Sequence, residues 1–172
     1  MTRLMKALVA SLALLTFACS ANEPAQQFEE GKHYKRVKTA ATPADPKRIT
    51  VEEFFWYGCE HCYNFESFIK AWVAKKPADV DFVAVPASLG RPQGKVHQQA
   101  FYTAEVLNVT DKIHTPLFQA IHGQRRNLST QDALRDFFSQ QSGVLPEVFD
   151  STFSGFAVNS RVGKAEQLAR DY

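Results

Sequence analysis

A chain of 172 residues with 45% hydrophobic and 22% charged side chains has the composition of a globular protein, long enough for one core and a subdomain. Its 20 basic and 18 acidic residues leave a net charge of +2 and are well interspersed, so no long-range field draws it onto a phosphate backbone and nucleic acid is not an expected partner. The pair Arg125 and Arg126 reads as a solvated loop rather than a binding patch.

At the N-terminus, Arg3 and Lys6 flank the apolar run "ALVASLALLTFA", which meets small residues in "ACSAN". Charged, hydrophobic and cleavage regions in that order predict a secretory signal over residues 1–20. The run is well short of the ~20 apolar residues of a membrane span. Ala18 and Ser20 suit a cut before Ala21, while Cys19 offers an alternative as a lipid-attachment cysteine. Either outcome leaves Cys59 and Cys62 as the free thiols of an exported protein, in a compartment where disulfides persist.

"KHYKRV", Lys32 to Val37, is predicted as a short first strand, followed by the Pro- and Ala-rich connection "TAATPADPKR". "ITVEEFFWYG", Ile49 to Gly58, is rich in β-branched and aromatic residues and reads as a central strand buried on both faces. From Cys59 the period turns helical, with Cys62, Phe65, Phe68, Ile69 and Trp72 as the apolar stripe and Pro77 as the stop. "VDFVAVPASL", Val80 to Leu89, is the next strand, which completes a βαβ unit. Helices are expected for the rest: one through "KVHQQAFYTAEVL", one from Asp111 to His122 containing Pro116, and one with Ser129 and Asp132 as a capping signal and Gly143 as its stop. "PEVFDSTF" and Phe156 to Ala169 supply two more.

The two cysteines stand three positions apart in "FFWYGCEHCYNFE". A structural zinc site needs four ligands, whereas this chain has one cysteine pair, and His33, His97, His114 and His122 are scattered, each read as a surface or satisfied core residue. A redox pair needs only two thiols at the start of a helix that follows a buried strand. There, unpaired N–H groups and the positive end of the helix dipole favour the Cys59 thiolate, the attacking species in disulfide exchange. His61 between the cysteines can add positive charge or a hydrogen bond, Glu60 opposes it, and Cys62, one turn further in, is the resolving thiol. Val51, Glu53 and Phe55 share one strand face, and a carboxylate there needs a partner or a task such as proton transfer with Cys62. Glu52 is its rival for the exposed position. An inert disulfide and a Cys/His metal carrier stay open as alternatives.

The segment "EFFWYGCEHCYNFE" resembles the active site of the DsbA family of bacterial periplasmic thiol:disulfide oxidoreductases, and "TPLFQAI" followed by "DALRDFF" is similar to that family's helical region. The resemblance runs from about Gly31 to Tyr172. It implies an α/β, thioredoxin-like fold with an inserted helical domain: residues 31–90 as the N-terminal part of the thioredoxin-like domain and 91–172 as the insert. It implies Cys59 as nucleophile, Cys62 as resolving cysteine, His61 as tuning residue and Glu53 as the acid beneath the pair. The implied protein is a monomer without cofactors that donates its disulfide to reduced, unfolded exported proteins. A DsbB-type, quinone-linked membrane oxidase recharges it, and reductase or isomerase action is the alternative. Two features depart from the pattern. Glu60 stands where proline is common, and the chain reaches Tyr172 without the family's cis-proline loop, last strands and closing helix, its last proline being Pro146. The expectation is a C-terminally truncated member.

Overall fold

The computed structural model describes residues 28–37 and 45–172. The signal expected over residues 1–20, Cys19 and most of the Pro/Ala-rich connection lie outside the described residues. The chain divides into two compact units, Met1–Arg36 and Val37–Tyr172.

In the first unit the expected strand beginning at Lys32 is absent. Residues 28–36 instead form a turn closed by local bonds: the Glu29 carbonyl accepts from the His33 N–H at 2.9 Å, and the His33 Nδ1 accepts from the Glu29 N–H at 3.0 Å. Gly31, with φ of +84°, supplies the left-handed residue the turn requires. Among the described residues of this unit, strand pairing is limited to an isolated bridge between Glu30 and Tyr34.

The second unit begins with the expected βαβ. Strand β1, Ile49–Phe55, and strand β2, Val80–Pro86, are parallel, in register from Ile49 opposite Val80 to Phe55 opposite Pro86, and helix α1, Glu60–Val73, connects them. β1 departs from the expectation of burial on both faces. Ile49 and Thr50 are exposed, Val51 to Phe54 are half-buried, and only Phe55 is fully inside. Glu52 and Glu53 fall in the half-buried stretch on opposite faces of the strand, so each face of β1 carries a carboxylate in place of an apolar side chain.

Helices α2 (Pro92–Val106), α3 (Thr110–Phe118), α4 (Gln131–Ser142), α5 (Pro146–Phe153) and α6 (Phe156–Asp171) follow. Pro92 and Pro146 occupy first-turn positions, where a missing N–H costs nothing. Gly143, at φ 74°, ends α4 in the left-handed conformation, as its sequence position implied. The capping signal shifts by one residue: Thr130 caps α4 by accepting from the Ala133 N–H at 3.3 Å, while Ser129 bonds to Asn127. The expected helix from Asp111 to His122 is α-helical only to Phe118 and continues as a π-helical turn, Gln119–Gly123, closed by a Gln124 N–H bond to the Gln119 carbonyl at 3.0 Å. Ile113, Leu117, Leu134, Phe138, Phe149 and Val158 are fully buried where these helices meet.

The apolar stripe of α1 also turns out differently. Phe65 and Phe68 stack on each other with ring centroids 6.1 Å apart and remain 51% and 68% exposed, while Glu66 is the residue of α1 that is buried. The inward face is set by the polar partners of Glu66 on α3 rather than by the aromatic period. Among the described residues no helix is long and apolar enough to cross a membrane.

Candidate active site

β1 delivers the chain to the site. Phe55 is anchored in an aromatic cluster with Tyr57, Phe101, His114 and Phe118, its ring centroid 5.2–5.8 Å from each of theirs, contacts worth ~0.5–1.5 kcal/mol each beyond area burial. Trp56 to Gly58 then turn the chain, and the Cys59 N–H donates to the Trp56 carbonyl at 2.9 Å. Cys59 occupies the N-cap of α1 in an extended conformation, and its carbonyl accepts the Tyr63 N–H at 3.1 Å. An N-cap side chain faces the unpaired N–H groups of the first turn.

Both cysteines are free thiols and half-buried, and their ionisation is unequal. Burial pushes the Cys59 thiol up, but hydrogen bonds from the Cys62 side chain and from the backbone N–H groups of Cys62 and His61 outweigh it, and Cys59 lies below the ordinary thiol value. Cys62 is pushed up to about 11, first by burial and further by the Cys59 sulfur and the charge of Glu53, against a hydrogen bond from the Trp56 backbone. The influence of His61 on Cys59 thus runs through its main chain, and its side chain is exposed.

Glu53 lines a cavity of about 530 Å³ between the βαβ unit and helices α2 and α3, together with Glu66, Lys70, Phe82, Phe101, Glu105 and His114 among others. Burial, and then the charge of Glu66, push the Glu53 carboxyl up, with His114 opposing. Glu66 is held the other way. Burial pushes it up, but His114 at 3.4 Å, the Thr115 hydroxyl at 3.0 Å and the Lys70 charge bring it below the usual carboxylate range. The rival Glu52 is not exposed either: its Oε2 is buried with no hydrogen-bond partner.

Three of the four histidines that looked scattered in sequence converge here. The Trp56 indole N–H donates to the His97 Nδ1 at 3.0 Å, the Tyr57 hydroxyl lies 2.8 Å from the His114 Nδ1, and the His122 Nε2 donates to the Tyr57 carbonyl at 2.8 Å. Nε2 of His114 faces the Glu66 carboxylate, so in the neutral ring Nδ1 is the acceptor for the Tyr57 hydroxyl. That phenol, fully buried, is held well above its ordinary value and stays neutral. Three helical elements therefore grip the two residues that precede Gly58 and Cys59. Nothing in the spacing of 97, 114 and 122 announces this, although an indole and a phenol entering a buried turn already require polar partners. Among the described residues no three His, Cys, Asp or Glu side chains are grouped to hold a metal ion.

An activated thiol at a helix start, a neighbouring thiol that keeps its proton and an acid close by can form and break mixed disulfides. Comparison with known proteins agrees with this chemistry. The sequence model of the DSBA-like thioredoxin domain matches residues 50–172. The chain is 39% identical over 171 residues to the thiol:disulfide interchange protein DsbA of Pseudomonas syringae pv. tomato, covering 98% of this chain and 78% of that one. It is 37% identical over 169 residues to the protein of the same name from Pseudomonas aeruginosa, covering 98% and 77%. A crystal structure of a point variant of Pseudomonas aeruginosa DsbA superposes with a TM-score of 0.79 at 39% identity, over 85% of this chain and 78% of that one.

Proposed function

Because this chain belongs to the DSBA-like thioredoxin domain family, we propose that its Cys59–Cys62 pair is the reacting centre of a protein thiol:disulfide oxidoreductase that works as a dithiol oxidase. The observation that carries the reading is the inequality of the two thiols, Cys59 below the ordinary value and Cys62 at about 11. A stabilised Cys59 thiolate favours the reduced pair, which makes the disulfide the donor.

In the forward reaction a substrate thiolate attacks the Cys59 sulfur of the Cys59–Cys62 disulfide. The substrate–Cys59 bond forms, the internal S–S bond breaks, and Cys62 leaves with the electron pair. With a pKa of about 11 it takes up a proton at neutral pH, and Glu53, whose carboxyl is pushed up by burial and Glu66, is its donor. A second substrate thiolate attacks the substrate sulfur of the mixed disulfide and expels the Cys59 thiolate. The substrate leaves oxidised by two electrons and the pair is left reduced. His61 tunes Cys59 through its backbone N–H.

The substrates are reduced, unfolded proteins exported to the periplasm, where the protein acts as a monomer, and a DsbB-type membrane oxidase passes the two electrons on to quinone. The relatives' names support the exchange chemistry, and the exposed Phe65 and Phe68 offer apolar surface on the helix that carries the cysteines.

The test is disulfide transfer from the oxidised protein to a reduced, unfolded substrate. Cys59→Ser should abolish it, and Cys62→Ser, offered a substrate that already carries a disulfide, should accumulate a mixed disulfide as its Cys59 thiolate attacks that bond and releases one substrate thiol. Retained transfer by Cys59→Ser would sink the mechanism, and an equilibrium with glutathione that favours the disulfide over the dithiol would make the protein a reductase.

A further inference from the structure

Trp56 touches both cysteines through its main chain. Its carbonyl accepts the Cys59 N–H at 2.9 Å, and its backbone hydrogen-bonds to the Cys62 sulfur, stabilising the thiolate there. The side chain decides whether this backbone can hold that position. Its ring lies so close to Gly58 that a Cβ there would meet it at 2.4 Å, and the Arg91 guanidinium lies over it at 5.4 Å. The remaining anchor is the 3.0 Å bond from the indole N–H to His97.

His97 is 5% exposed and has one possible tautomer. An indole nitrogen only donates, so the Nδ1 that faces it carries the lone pair. A carbonyl only accepts, so Nε2, 3.0 Å from the Leu128 carbonyl, carries the hydrogen. Both ends select the same neutral ring. Burial holds His97 below the usual imidazole range, with the Leu128 carbonyl opposing and the charge of His122 adding to the depression. Arg91, across the Trp56 ring, is the cation on the other side, and the Tyr57 ring, 6.0 Å away, is a neutral phenol.

We propose that His97 is a positioning residue for disulfide exchange: as a neutral, tautomer-locked acceptor it clamps the Trp56 indole and thereby keeps the Trp56 backbone bonded to both cysteines. The inference rests on the exchange reading of Cys59 and Cys62. Its consequence is that reactivity at the sulfurs depends on a histidine that touches neither, and acidification and substitution act alike, because a protonated Nδ1 presents a second donor to the indole N–H.

The experiment measures the thiol–disulfide equilibrium constant with glutathione and the ionisation of both cysteines in H97L, W56F and H97Q. Circular dichroism and urea unfolding establish which variants are folded. W56F removes the indole donor, together with outer ring atoms beside Gly58, and keeps an aromatic ring, so it tests the clamp even if H97L does not fold, with H97Q separating the lost bond from the lost ring contact. Loss of the clamp should lower the equilibrium constant for oxidising glutathione roughly three- to tenfold, the weight of about one net hydrogen bond, and move Cys62 ionisation to higher pH. In H97Q the amide oxygen accepts from the indole and the amide nitrogen donates to Leu128, so it should stay within about twofold of the parent. Folded W56F with the parent's equilibrium constant and Cys62 ionisation would overturn the proposal, as would an H97Q defect equal to that of H97L. Failure of the exchange reading would appear separately, as disulfide transfer surviving in Cys59→Ser.

Discussion

The His122 Nε2–H donates to the Tyr57 carbonyl at 2.8 Å while its ring stacks on Tyr63, centroids 5.0 Å apart at 16°. One imidazole thus ties the turn before the cysteines to the helix after them. His122→Leu leaves the carbonyl of a buried residue unpaired, and a loss of ~1–3 kcal/mol in urea unfolding is expected. His122→Gln, which can still donate, should recover most of it.

The two thiols should titrate separately. Thiolate absorbance of the reduced protein followed against pH should show Cys59 ionising below the ordinary thiol value and Cys62 at about 11. With Cys62→Ala the low transition should remain but move up, since the Cys62 side chain supplies one of the hydrogen bonds to Cys59. A single transition for both thiols at the ordinary value would contradict the site as described.

Glu66→Gln removes the negative charge that pushes Glu53 up, so the Glu53 carboxyl should ionise at lower pH. Carboxyl-carbon NMR reads this directly. Glu53→Gln should in turn move Cys62 ionisation down, because the Glu53 charge is one of the influences raising it. An unmoved Cys62 in Glu53→Gln would remove Glu53 from the proton path.

Acid should destabilise the fold in two windows. His97 is depressed in the folded state, so its contribution is complete above ~6.5, the unfolded imidazole value, and is lost as pH falls from there through the folded value. Glu66, also depressed, contributes fully above ~4.3, and that contribution is lost as pH falls through its folded value. Glu53 has the opposite sign. Its raised pKa gives stability present below ~4.3 and lost as pH rises through the folded value. Urea midpoints across pH should therefore fall below about 6.5 in the parent, and W56F should show a weaker fall in that window, since its His97 Nδ1 is free to take the proton.

Thr130→Ala should cost ~1 kcal/mol by removing the α4 cap, whereas Ser129→Ala, whose bonds run to Asn127 outside the helix, should be close to neutral. Thermal unfolding of the pair compares them directly. Equal losses would mean that the capping signal belongs to Ser129 after all.

What could be read from the chain was local. The change from strand to helical period at Cys59 places the thiol at the N-cap, and Gly143 and Pro146 mark boundaries because their backbones allow little else. Lys32 to Val37 has strand composition, yet Gly31 and the His33 side chain close a turn that takes the bonds a ladder would have used. Phe65 and Phe68 keep helical period but face outward, because Glu66 finds His114 and Thr115 on a helix about fifty residues away. For the same reason the grip of His97, His114 and His122 on Trp56 and Tyr57 was not legible: each bond depends on which helix faces the turn, and that is a property of packing. Glu53 could be singled out because a carboxylate on a strand face is anomalous by itself, but its pairing with Glu66 in one cavity could not.

The three histidine bonds to Trp56 and Tyr57 span 41, 57 and 65 residues of chain. Each closes a long loop, whose entropic cost is met only when the helices have docked. In a chain still folding, the turn before Cys59 has none of these anchors, and Cys62 lacks the burial that sets it apart from Cys59. The burial that pushes Cys62 up to about 11 is therefore acquired last, at the moment of helix docking, so the rate at which the two thiols part in ionisation is itself a clock for the completion of the fold.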